Sequence, residues 1–194
     1  MKAEAIKSGD ALLIIDMQND FLPGGRLAVP DGEQIIPVIN CYVQKFDAHG
    51  NPVLLTRDWH PANHASFNDQ GGPWSLHCVA GTYGAEYPAA LLLPETAQVF
   101  SKGTHPESNG YSGFEDTDLR TKLERAGARR LFIAGLATDY CVLQTVLDAR
   151  RLGYKVLLLQ DAVRAVNVNP DDGDRALQTM RQHGALLISL DELS

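Results

Sequence analysis

Only three of the 194 residues are cysteine (Cys41, Cys78 and Cys141). The set is odd in number and widely spaced, which excludes the disulfide framework of a small secreted domain and fits a reducing compartment. Long hydrophobic runs are missing too. Residues 11–15 and 89–93 fall far short of the ~20 apolar residues that span a bilayer, and residues 1–10 carry Lys2, Glu4, Lys7 and Asp10 with no signal-peptide segment. Positive charge is scarce: 17 Lys and Arg stand against 24 Asp and Glu, a net charge of −7. The pairs Arg129-Arg130 and Arg150-Arg151 are isolated, so nothing resembles a phosphate-neutralising stripe. The expectation is a cytoplasmic protein with neither nucleic acid nor membrane as partner.

What is present is an ordinary globular balance, 44% hydrophobic and 21% charged residues. The length favours a single domain over 1–194 that buries roughly 70% of the unfolded surface. Six short apolar runs, at 11–15, 52–56, 98–100, 130–134, 155–159 and 185–189, have the length and flanks of buried strands. They lack polar alternation, which predicts strands covered on both faces and hence a parallel sheet. Between them lie predicted helices over 33–49, 118–126, 139–152 and 172–183, each followed by a glycine stop. This rhythm predicts an α/β protein, a three-layer doubly wound fold on a mainly parallel six-stranded sheet. Apolar positions on the later helices suit either core or a homo-oligomer interface. Residues 61–94 break the rhythm with Gly, Pro, His and Trp, and long irregular segments in compact domains are usually functional.

In doubly wound sheets ligands bind beyond the carboxyl ends of the strands. Asp16 follows the first predicted strand, Asp58 the second and Lys102 the third, while Cys141 begins the helix after the fourth. Four reactive groups at four strand exits converge on one rim. Near a helix N-terminus the Cys141 thiol is expected to titrate below its usual value of about 8.5 and, with a base beside it, to attack a carbonyl carbon. Backbone amides of the same turn can hold the oxyanion. Cys41 lies in a helical pattern and is expected in the core. Asp58 and His60, two apart on extended chain, share a face, and His64 and His77 follow; Asp/His/His ligation suits Zn²⁺, Fe²⁺ or Mn²⁺. Phe21, Trp59, Trp74 and Tyr111 can enclose a flat ring.

Four stretches in order, covering residues 10–190, resemble the nicotinamidase branch of the isochorismatase-like cysteine hydrolases. They are Asp16-Met17-Gln18-Asn19-Asp20-Phe21 through Gly25, Thr56-Arg57-Asp58-Trp59-His60-Pro61 with Trp74-Ser75-Leu76-His77-Cys78, Ser101-Lys102-Gly103-Thr104 leading to Tyr111-Ser112-Gly113-Phe114, and Gly135-Leu136-Ala137-Thr138-Asp139-Tyr140-Cys141-Val142. The resemblance implies a catalytic set of Asp16, Lys102 and Cys141, and an oxyanion hole from the Ala137 and Cys141 amides after a cis peptide. It further implies a divalent ion (Zn, Fe or Mn, zinc favoured) on Asp58, His60 and His77, and ring contacts from Phe21, Trp74, Tyr111 and Ala137. The implied reaction converts nicotinamide to nicotinate and ammonia in NAD salvage, with pyrazinamide as a side substrate. The runner-up is a related cysteine amidase for another small amide or carbamoyl compound; such amidases generally lack the metal set. Tyr140 matches a variable position, His64 one that ligates only in some relatives, and His105 departs from the pattern.

Overall fold

In the computed structural model, which describes residues 4–194, six strands form one sheet. They are β1 (Asp10–Ile15), β2 (Val53–Asp58), β3 (Gln98–Lys102), β4 (Arg130–Leu136), β5 (Lys155–Arg164) and β6 (Leu186–Ile188). Their spatial order is β3-β2-β1-β4-β5-β6, and every neighbouring pair is parallel. All six predicted runs overlap a strand. The helices are α1 (Ile36–Ala48), α2 (Leu119–Arg125), α3 (Leu143–Arg151) and α4 (Asp172–Gln182).

The pleat of β1 divides the core. Leu12 and Ile14 face one side, where they join Ile39, Tyr42 and Phe46 of α1. Ala11, Leu13 and Ile15 face the other, with Leu123 of α2, Val146 of α3 and Met180 of α4. The irregular segment contributes Cys78, Ala85 and Leu91 to the α1 side. One face of the sheet is therefore covered by α1 plus irregular chain, and the other by three helices. This arrangement follows from right-handed crossovers that run outward from β1 in one direction and from β4 in the other. The switch point lies between β1 and β4, where a ligand crevice is expected.

Three expectations about the helices change. The helix predicted from residue 33 begins with a short 3₁₀ turn, Gly32–Ile35, and becomes α-helical at Ile36 with Pro37 in its first turn, where a missing N–H costs nothing. Cys41 is exposed rather than core, because it lies on the helix face opposite the stripe of Ile36, Ile39, Val43 and Phe46. The helix predicted over 139–152 is split: a π-helical turn, Thr138–Val142, precedes α3. Among the described residues no helix is long and apolar enough to cross a membrane.

Candidate active site

The four strand exits meet at the switch point. Asp58 and Lys102 are the last residues of β2 and β3, and Asp16 follows β1 directly. Asp16 takes a left-handed backbone (φ 45°) that ends the strand. Cys141 lies in the π turn after β4, where the Val142 N–H reaches back to the Ala137 carbonyl at 3.1 Å. The Leu136–Ala137 peptide is cis.

Lys102 is the hub. Its fully buried ammonium lies 2.8 Å from Asp16 Oδ2 and 2.6 Å from Asp58 Oδ1, donates to the Gly110 carbonyl at 2.6 Å, and touches Cys141 Sγ at 3.4 Å. Burial works against the charged lysine, but the carboxylates of Asp16 and Asp58 overcome it and hold Lys102 well above the ordinary lysine range. Burial also acts on both aspartates. In Asp58 the Lys102 ammonium prevails and keeps the carboxyl well below its usual range. In Asp16 burial prevails, with the Asp58 charge adding to it, so Asp16 is raised. Asp16 Oδ1 accepts the Thr56 hydroxyl at 2.7 Å. Oδ2 sits at ion-pair distance from Lys102 but lacks a well-directed hydrogen bond. It is thus the oxygen with a lone pair to spare.

The thiol departs from the expectation of a lowered pKa. Burial is the largest influence on Cys141 and pushes it well above the usual value; Asp16 and Asp58 act in the same direction, and Lys102 alone does not cancel them. In the resting site the proton stays on sulfur, and a base has to remove it.

Asp58, His60 and His77 each offer a ligand atom within 4.8 Å of the others. His60 Nδ1 faces the Gly103 carbonyl at 2.9 Å and His77 Nδ1 the Ser75 carbonyl at 2.7 Å. Each Nδ1 therefore carries the proton, and both Nε2 lone pairs point toward Asp58 Oδ2, at 3.5 and 4.0 Å. Two nitrogen lone pairs and a carboxylate oxygen aimed at one point repel each other unless a cation lies between them. The donor set fits a divalent ion. Burial lowers the pKa of His77, which keeps that ring neutral as ligation requires. Gly103 permits the arrangement, since a Cβ there would collide with the His60 ring. His64 is buried against His60, with ring centroids 4.0 Å apart, and bonds Ser66 Oγ at 2.8 Å; it lies outside the three-residue donor group. His105 is exposed.

Between thiol and donor set lies one cavity, walled by Phe21, Trp74, Tyr111 and Ala137, and also by Tyr140 and Val166. The Trp74 indole donates to the Tyr111 hydroxyl at 3.0 Å, and Tyr140 meets Trp74 edge-on at 4.9 Å. Trp59 is not in the wall. It sits one residue out of phase with Asp58 and His60, and the Arg57 guanidinium covers its ring at 3.7 Å. Val166 comes from the loop after β5, which no sequence motif marks. Gln18 is a further buried contributor, through its bonds to the Asp58 backbone.

A buried thiol, carboxylate and ammonium at the switch point of a parallel sheet, facing a metal-type donor set, define the class of α/β cysteine hydrolases. The chain belongs to the isochorismatase family: the Isochorismatase domain model matches residues 10–192. The nicotinamidase of Escherichia coli (strain K12) is 40% identical over 93% of this chain and 94% of its own length. The crystal structure of the pyrazinamidase of Pyrococcus horikoshii in complex with zinc superposes with a TM-score of 0.90 at 48% identity, over 94% of this chain and 99% of that one. A structure from L. infantum in complex with nicotinate superposes with a TM-score of 0.92 at 36% identity, over 100% and 99% of the two chains.

Proposed function

We propose that this protein is a metal-assisted cysteine amidohydrolase that converts nicotinamide to nicotinate and ammonia, a step of NAD salvage, with pyrazinamide as a side substrate. The observation that carries the reading is that one aromatic-walled cavity is lined by the Cys141 thiol, behind which Lys102 and Asp16 lie buried, and by the Asp58, His60 and His77 set. The Escherichia coli, Pyrococcus horikoshii and L. infantum relatives support the same chemistry. The domain spans residues 1–194 and acts in the cytoplasm.

Asp58, His60 and His77 hold the divalent ion, with zinc favoured. Once bound, the ion supplies a Lewis-acid anchor for the ring nitrogen of a pyridine carboxamide and so orients the ring. Phe21, Trp74 and Tyr111 flank that ring, and their apolar faces exclude water.

The acyl chemistry belongs to the protein's own groups. Asp16 Oδ2 takes the Cys141 proton while Lys102 holds the charge of both partners. Sulfur attacks the carboxamide carbon, and the Ala137 and Cys141 amides hold the oxyanion. Asp16 returns the proton to nitrogen; the C–N bond breaks, and ammonia leaves a thioester. Water then gives a proton to Asp16 and attacks the same carbon. The C–S bond breaks, nicotinate departs, and the proton returns to sulfur. The raised pKa of Asp16 suits a group that must both accept and return a proton.

The test is ammonia release from nicotinamide by purified protein, before and after chelator treatment. Release that chelator abolishes and zinc restores supports the reading. Chelator-insensitive release removes Asp58, His60 and His77 from the reaction, and no release from fully metallated protein overturns nicotinamide as substrate.

A further inference from the structure

Gln18 is fully buried, and every group of its side-chain amide is engaged. Oε1 accepts the Asp58 N–H at 2.7 Å, while Nε2 donates to the Asp58 carbonyl at 2.7 Å and to the Ala85 carbonyl at 2.9 Å. Only one orientation of the amide serves an N–H on one side and two carbonyls on the other. The reason for this pairing lies in the ladder. The Asp16 N–H still reaches the Thr56 carbonyl at 3.2 Å, but the left-handed turn at Asp16 then carries the chain away from β2. Asp58, two residues further along β2, is left without a backbone partner from β1. The Gln18 side chain substitutes for the missing strand by supplying both an acceptor and a donor.

We propose that Gln18 is the positioning residue of the metal ligand Asp58. By fixing the Asp58 backbone it determines how the carboxylate is shared, with Oδ1 on Lys102 and Oδ2 between His60 and His77. Gln18 touches neither thiol nor donor atoms, and it acts through Asp58. The inference rests on the metal-site reading above. Outer partners that orient a ligand typically govern metal affinity by about 10–100-fold.

The experiment is zinc titration of metal-stripped protein in competition with a chromophoric chelator, comparing wild type, Gln18→Glu and Gln18→Met, with the melting temperature of each metal-free protein measured in parallel. Gln18→Met loses all three bonds, and its zinc affinity is expected to fall by about 10–100-fold. Gln18→Glu, held neutral by burial, keeps the acceptor and one donor and is expected to fall between; should the methionine variant not fold, the glutamate variant carries the comparison. Turnover of either folded variant is expected to recover at saturating zinc. Unchanged zinc affinity in a variant whose metal-free melting temperature has dropped overturns the proposal and leaves Gln18 a purely structural residue. Wild-type protein that takes up no zinc overturns the metal-site reading and this inference together, whereas wild-type binding with unaltered variants overturns the inference alone.

Discussion

Lys102 Nζ lies 2.6 Å from Asp58 Oδ1, so the ammonium that touches the Cys141 thiol also grips a carboxylate of the candidate metal-donor set. The two halves of the site share one charge. Lys102→Met leaves Asp16 and Asp58 facing each other in a dry interior. Removing one partner of a buried ion pair costs about 3–5 kcal/mol, which for a chain of this size lowers the melting temperature by roughly 2–4 °C per kcal/mol. Turnover and zinc uptake are both expected to fall. Thermal melts and zinc titration check this; a variant that keeps zinc affinity would show the two halves to be independent.

Cys141→Ala removes the sulfur proposed to form the thioester but leaves the other cavity walls and the donor set in place. Turnover is expected to vanish, while zinc and nicotinate still bind. Equilibrium binding alongside ammonia release makes the measurement, and residual steady-state hydrolysis would contradict the assignment of the nucleophile.

Gly103→Ala places a methyl group against the His60 ring. The ring is displaced and its bond to the Gly103 carbonyl, 2.9 Å, is disturbed. Zinc affinity is expected to drop by about tenfold or more, with a smaller effect on the melting temperature of the metal-free protein. An unaltered zinc isotherm would show that the loop yields instead.

Far from the site, at the opposite end of the sheet, Arg130 binds both oxygens of Asp10, at 2.7 and 2.6 Å, and reaches Glu4 at 2.8 Å and the Ala5 carbonyl at 2.7 Å. Asp10 is almost wholly buried. Arg130→Ala is expected to destabilise the fold by about 3 kcal/mol, the cost of stranding a buried carboxylate, while turnover per folded molecule stays unchanged. Urea unfolding and ammonia release on the same preparation test both halves. A loss of specific activity without a loss of stability would show that this end of the sheet communicates with the site.

Much of the site was legible in the sequence because its chemistry sits at strand ends. Asp16, Asp58 and Lys102 each close or follow an apolar run, and residues at such places have one rim to occupy. The i, i+2 spacing of Asp58 and His60 implied a shared face through the period of an extended chain, and the same rule explains why Trp59 turned away. Cys41 was misplaced because membership of a helical stretch was read as burial; its position on the helix, opposite the stripe of Ile36, Ile39, Val43 and Phe46, turns it to solvent. Val166 and the outer role of Gln18 carried no local signal; each acquires its place from a partner far away in the chain.

The sequence by itself determined the order of strands and helices, the reactive groups at the strand exits and the donor types of the metal set, since periodicity and residue chemistry are local properties. Tertiary structure alone decided the charge states. Burial raised the Cys141 thiol where a helix terminus was expected to lower it, and raised Asp16 while the same ammonium held Asp58 down. Those outcomes depend on how much water is removed and which charges remain within a few ångströms, and only packing fixes either.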